Sequence, residues 1–415
     1  MNSAVVDRVA DRAVETITKA PQVTISKGRL PSTVAFFLLA SIVVSFLAGS
    51  SAPTPLYSLY QAEWGFSPIT TTVVFGIYAL AVLAALLVFG SLSDHIGRRP
   101  VLLTAIAIQA VTMVIFATAS GVPMLMIARI VQGLSTGAAV GAIGASMLDL
   151  NKVRGTIANS VAPLIGTATG SVGSGLLVQY LPAPTKLVYF VLLAIFIVQA
   201  IGVLAMAETS APMPGALASL RLQFGLPPAV RRHALLAVPA LVAVWSLAGF
   251  YGSFGPALVK IVSGSSSFAI GGLSLFTLAA SGAMTVVLLR NQRPRAMMAL
   301  GMVALFIGVG LTLIAIANSQ TALFFIGAVI AGGGFGAGFQ GAIRSVIPLA
   351  APHERAGVLS IMYVVSYLAM GLPAVIAGFL VVHAGGLLST AREYGIAVMV
   401  LAALALLGMA KRQRG

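Results

Sequence analysis

The chain has 415 residues, 59% of them hydrophobic and 8% charged, with a formal net charge of +15 and a mean hydropathy of +1.04. Soluble domains carry roughly 25% charged residues, so this composition excludes a water-covered surface. Apolar runs near 20 residues predict membrane-spanning helices, and the lack of strict apolar–polar alternation excludes a β-barrel. There is no cysteine, hence no disulfide, thiol chemistry or cysteine-based metal site. His95, His233, His353 and His383 are scattered and show no ligand clustering, so no cofactor is expected.

In chain order, residues 1–32 form a cytoplasmic N-terminal segment. They carry Asp7, Asp11 and Glu15 and no apolar stretch before Pro31, which argues against a cleavable leader. Val5, Val6, Val9, Ala13 and Ile17 fall near helical spacing, giving either a surface-lying amphipathic helix or a disordered tail. Apolar runs follow at 33–58, 70–89, 101–119, 122–148, 156–180 and 185–207. A more polar stretch at 208–233, with Pro212, Pro214, Pro227 and Pro228, reads as a linker. The runs resume at 234–259, 266–289, 296–317, 320–346, 356–382 and 390–410, before a basic tail at 411–415. The expectation is an all-α membrane protein with twelve transmembrane helices in two six-helix bundles, 33–207 and 234–410.

The bases set the orientation. With the N-terminus inside, 19 Lys and Arg fall in inside segments and only Lys186, Lys260 and Arg392 outside. This asymmetry predicts both termini in the cytoplasm. The same placement assigns the positive charge to topology and anionic lipid, and no nucleic-acid partner is expected. The halves look related: Leu47-Ala48-Gly49 recurs as Leu247-Ala248-Gly249. Gly133, Gly137, Arg154 and Gly170 recur 201 residues on as Gly334, Gly338, Arg355 and Gly371. Pseudo-symmetric six-helix repeats with a site between them describe a major transporter architecture.

Residues Gly90 to Pro100 concentrate a carboxylate, two arginines, two glycines and a proline between the second and third runs. They fit, at every fixed position, the loop motif G-x-L-x-D-x-x-G-R-R-P of the major facilitator superfamily, which the chain resembles across its membrane region. Arg129-Ile130-Val131-Gln132-Gly133 fits a second family motif, R-x-x-Q-G. The resemblance implies that Gly90, Asp94, Gly97, Arg98 and Arg99 form a conformational latch. Asp94 would meet the start of the eleventh helix near Glu354, and Arg98 would pair with Asp149. The competing reading is ordinary positive-inside charge and turn glycines. The matching loop at 290–295 has neither glycine nor aspartate, so the latch should be one-sided.

By the same resemblance Arg129, with Gln132 three residues on, is tied to substrate or proton coupling. The alternative is a structural arginine bonded to exposed carbonyls of a bent first helix. Arg344, late in span ten, is expected to snorkel to the interface. Gly166, Gly170, Gly173 and Gly175 in span five are similar to the glycine-rich motif of drug–proton antiporters, without its Gly-Pro pair. Pro53 and Pro55 must distort the first helix near its outer end, and Pro256 does so in span seven. Tyr57, Tyr60, Trp245 and Tyr251 then line an outer gate or form an interfacial aromatic belt.

None of the nine acidic residues falls mid-span. This disfavours polycationic substrates and leaves proton coupling to Asp94, Asp149 or a rim group such as Glu63. The expected function is secondary transport of neutral or weakly acidic amphipathic molecules by alternating access. Proton-coupled efflux from a bacterial inner membrane leads, with uptake or uniport of a small organic acid second. The expected partners are a small-molecule substrate, a proton or other coupling ion and the lipid bilayer. The resemblance implies a monomer. A sensor on the same fold would need an output domain, and an enzyme would need clustered acid, base or metal ligands; neither is legible.

Overall fold

The computed structural model describes residues 28–221, 225–351 and 354–411; the expected amphipathic segment falls almost wholly outside them. Among the described residues twelve helices are long and apolar enough to cross a membrane: Ser32–Trp64, Pro68–Phe89, Arg98–Ala117, Val122–Leu150, Lys152–Tyr180, Leu187–Ala205, Pro228–Ser263, Phe268–Leu288, Pro294–Ala317, Thr321–Leu349, Arg355–His383 and Gly386–Ala410. They are called spans one to twelve below.

Span seven begins at Pro228, six residues before the apolar run that marks it in the sequence. Pro228 occupies the first helical turn, where a missing N–H costs nothing. Span one extends to Trp64 as two helices, Ser32–Ser51 and Pro53–Trp64, interrupted at Ala52. Proline again starts the second piece. Prolines therefore mark helix starts here as well as distortions.

Each half has its own hydrophobic core. One joins residues from Ala35 to Met206 and the other residues from Val230 to Met409. The two-bundle organisation follows directly, because neither core needs the other to close. The halves meet along two seams of small residues. A methyl on Gly272 would lie 2.5 Å from the Ser171 carbonyl, and one on Gly175 2.6 Å from the Phe268 carbonyl. This backbone-to-backbone approach joins span five to span eight. Spans two and eleven meet where Gly76 abuts Val375. Two hydrogen bonds cross the first seam: Ser171 Oγ donates to the Gly272 carbonyl at 2.9 Å, and Phe268 N donates to Gln179 Oε1 at 2.9 Å. All these contacts lie in the parts of the spans remote from the 90–97 loop. The molecule is sealed at that far end and separates toward the end carrying the loop and Arg290, here called the basic end.

The repeat between halves is present, but its register in the fourth and tenth spans differs from the sequence match. Gly133 and Gly137 pack on span two, at the Tyr78 and Val82 carbonyls. The glycines that pack on span eight, at Leu278 and Gly282, are Gly332 and Gly336. Gly334 instead packs on span nine, and Gly338 against Met302 and Val244. In a glycine-rich helix, neighbours two residues apart offer alternative matches, and packing selects between them.

Candidate functional site

At the basic end the chain turns sharply at Gly97, with φ +95°. Only glycine takes this conformation without strain, and a methyl here would sit 2.8 Å from Glu208 Oε2. The Glu208 carboxylate accepts from the backbone N–H groups of Arg98 at 2.9 Å and Arg99 at 3.0 Å. It thus caps the N-terminus of span three, supplying acceptors and a negative charge where the helix has neither. Arg99 reaches across to the C-terminal carbonyls of span six, Val203 at 3.0 Å and Leu204. The third and sixth spans are held together by reciprocal end charges.

Arg98 is the hub of the loop. Its guanidinium pairs with Asp94, bonds Ser93 Oγ at 2.8 Å and reaches Asp149 Oδ2 at 3.4 Å. The linker is strapped to this network: Ser91 Oγ donates to the Ser219 carbonyl at 3.1 Å, and Met213 N to the His95 carbonyl at 3.0 Å. Gly90 packs its carbonyl 3.1 Å from where a methyl on Gly141 of span four would stand. Asp94 and the start of span eleven line a common cavity of about 420 Å³ together with Arg221. Glu354 accepts from Ala351 N at 3.0 Å within its own half. The first-half residues expected to form the latch are thus brought together, and Asp94 and Glu354 are each engaged within their own half.

Arg129 and Gln132 lie deep in the first bundle, 1% and 0% exposed. Pro53 has no N–H, so the Gly49 carbonyl loses its helical partner. Gln132 Nε2 donates to that carbonyl at 2.9 Å. Arg129 donates to the Ser50 carbonyl at 2.8 Å, to Gln132 Oε1 at 2.7 Å and to the Tyr57 hydroxyl at 3.0 Å. The rings of Tyr57, Tyr78 and Phe116 surround the guanidinium at 5.2–5.8 Å, within range of cation–π attraction. The second half solves the same problem differently. Pro373 frees the Ala369 carbonyl, and Ser246 Oγ donates to it at 3.1 Å.

Of the four aromatic residues picked from the sequence, three turn into their own bundles. Tyr57 receives Arg129. The Tyr60 hydroxyl meets that of Tyr189 at 3.0 Å, and its ring stacks on Trp64 at 4.6 Å. Tyr251 meets Thr312 Oγ1 at 2.8 Å. Trp245 alone lines the central cavity, a chamber of about 210 Å³ between the halves. There it packs with Phe335, Phe339 and Tyr367, ring centroids 5.2–6.0 Å away. The facing wall, from the first half, carries the hydroxyls of Ser50, Ser51, Thr54 and Thr167. Several of these donate to backbone carbonyls of their own helices, as Ser50 does to Leu47 at 2.8 Å and Thr167 to Pro163 at 3.0 Å. The chamber has no charged lining residue.

A larger vestibule of about 960 Å³ adjoins the chamber toward the basic end, and Asn159, Ser160, Val286, Phe339 and Gln340 line both. Asn159 and Gln340 carry neither charge nor aromatic ring nor motif to mark them in the sequence. Their signal was an uncharged amide inside an apolar run. Glu208 was equally unmarked, because its partner loop lies more than a hundred residues away.

Known proteins point the same way. The family model of the Major Facilitator Superfamily matches residues 38–291. The MFS-type transporter paaT of Penicillium rubens is 28% identical over 119 residues, 28% of this chain and 22% of that protein. An uncharacterised transporter of Rickettsia bellii is 39% identical over 74 residues, covering 17% and 18%, and one of Rickettsia felis 34% over 112 residues, covering 26% and 27%. These matches therefore span only about a quarter or less of the curated relatives. The crystal structure of the nucleoside transporter NupG shares the fold with a TM-score of 0.68 at 14% identity, over 92% of this chain and 99% of that one. With twelve spans in two bundles, a loop network built on Asp94 and Arg98, and a family match over more than half its length, this integral membrane protein belongs to the Major Facilitator Superfamily.

Proposed function

We propose that the protein is an alternating-access transporter of small amphipathic organic molecules, neutral or weakly acidic, working as a proton-coupled exporter in a bacterial inner membrane. The basic end and both termini face the cytoplasm, in keeping with the excess of bases at that end. The observation that carries the reading is the uncharged chamber between the halves, lined by aromatic rings from both sides (Phe75 and Tyr78 facing Trp245, Phe335, Phe339 and Tyr367) and by the hydroxyl-bearing Ser50, Ser51, Thr54 and Thr167. Such lining suits an apolar body with a few polar groups. The far-end seams and the vestibule at the basic end match a carrier loading from the cytoplasmic side. Asp94 lines a cavity shared with the start of span eleven, and its cluster with Arg98 and Asp149 is where proton coupling would act.

One observation favours a second reading. No carboxylate lines the chamber, which also suits a uniporter. Proteoliposome transport across a compound panel, with and without a pH gradient, separates the two. The expected result is saturable transport of neutral or weakly acidic amphiphiles that falls when the gradient is collapsed and falls again in Asp94→Asn. Undiminished transport without a gradient selects the uniporter. A dicationic dye as best substrate overturns the proposed substrate class.

A further inference from the structure

The vestibule differs from the chamber in its charge. Its polar rim holds Lys152, Arg290 and Arg344 and no carboxylate. Arg344 is committed, donating to the Arg290 carbonyl at 3.0 Å and the Gln292 carbonyl at 3.3 Å, where it closes the end of span eight. The side chains of Lys152 and Arg290 make no hydrogen bond or ion pair among the described residues. Nearby acids are used elsewhere: Asp149 takes Arg98 and Thr209 Oγ1, and Glu354 caps its own turn. The two free cations come from different halves, Lys152 from the start of span five and Arg290 from just beyond span eight. Lys152 also stands in the first turn of span five, at the positive end of that helix.

The route from this rim to the chamber is continuous and graded. Asn159 lies seven residues beyond Lys152, about 10 Å along the helix. Its Nδ2 donates to the Gly144 carbonyl at 3.1 Å. Across from it Gln340 lines both compartments, and its amide has no hydrogen-bond partner among the described residues. Phe339 also lines both compartments, and Trp245 stands in the chamber beyond. A molecule with an anionic head and an apolar body about 10 Å long would meet each group in turn.

We propose that Lys152 and Arg290 form an anion site shared between the halves, and that the substrates are amphipathic monoanions, organic carboxylates above all. The head rests at this pair while the body passes Gln340 into the chamber. This deepens the transport reading above and rests on it for the word substrate. The binding site itself is testable without transport. A shared anion also gives the two halves a reason to approach at the basic end, because bound charge offsets the repulsion between Lys152 and Arg290.

The chain has two tryptophans, and only Trp245 lines the chamber. A Trp64→Phe variant therefore makes its fluorescence a reporter. The probes are nitrophenylbutanoate and nitrophenylbutanamide, equal in size and in quenching but different in charge. The acid is expected to bind about 5–10-fold more tightly than the amide at low salt, and the difference to shrink at high salt. Lys152→Gln and Arg290→Gln should each weaken acid binding several-fold and leave the amide unchanged. Equal affinities for acid and amide, or variants that weaken both alike, overturn the anion site. Adding phosphatidylglycerol to phosphatidylcholine vesicles should leave the preference for the acid standing; its disappearance would assign the pair to lipid headgroups and overturn the proposal. Charge-selective quenching in a protein that moves neither probe would uphold the site and refute the transport reading.

Discussion

Gln132→Leu separates a structural role for the Arg129 cluster from a role in binding substrate. The substitution keeps the volume of the side chain and removes two buried interactions at once. The Gly49 carbonyl, already deprived of a helical partner by Pro53, loses its donor at 2.9 Å, and Arg129 loses an acceptor at 2.7 Å. An unsatisfied buried group costs about 1–3 kcal/mol, whereas interhelical hydrogen bonds in a bilayer average about 0.6 kcal/mol. Because Gln132 is wholly buried and one bond involves a charge, the net loss is expected at about 2–4 kcal/mol. For a bundle of this size that lowers the melting temperature by about 5–10 °C. The assay is thermal denaturation in detergent, paired with transport kinetics in proteoliposomes. The expected pattern is lower stability and lower maximal rate with KM unchanged. An unshifted melting temperature with a KM raised more than tenfold would show that Gln132 touches the substrate, and the structural account would fall.

Gly272→Leu places a side chain against the Ser171 carbonyl, where even a methyl would stand at 2.5 Å. Transport should drop more than tenfold while the protein still folds, since each half keeps its own core; normal turnover would show that the far-end seam does not have to close. Glu208→Ala removes the acceptor of Arg98 N and Arg99 N and should cost about 1–2 kcal/mol, as lost caps do. Glu208→Gln should recover part of that in the same melting assay, and equal stability of all three proteins would refute the capping role.

The fold was legible because a bilayer imposes long apolar runs, and twelve runs give twelve helices. Their ends were less so. Pro228 looks like linker until its place in a first helical turn is seen, and the second piece of span one is too polar at Gln61 and Glu63 to count by hydropathy. In the functional region, motifs located what is local, the Gly97 turn and the i, i+3 pair of Arg129 and Gln132, while the Arg98–Asp149 pair, 51 residues apart, came from the family resemblance. What the sequence left open was which neighbours these groups meet. Arg129 and Tyr57 are 72 residues apart, and Glu208 lies 110 from Arg98. Tyr60 and Tyr251 look like gate aromatics by composition, yet each has a hydroxyl partner within its own bundle. Asn159 and Gln340 are ordinary amides until the two halves are set face to face.

The interruption at Ala52 has a mechanical consequence. A continuous helix resists bending because tilting one part stretches its backbone ladder. Here two prolines have already removed rungs, so the Pro53–Trp64 rod can swing on the lower helix with little added strain. Arg129 holds both sides of the joint, gripping the Ser50 carbonyl below and the Tyr57 hydroxyl above. It acts as a splint that sets the angle of the rod. Releasing either grip would leave the rod tied through the Ser174 bond to the Ala52 carbonyl and the Tyr60–Tyr189 pair, a lever whose pivot lies beside Ser51 and Thr54 on the chamber wall.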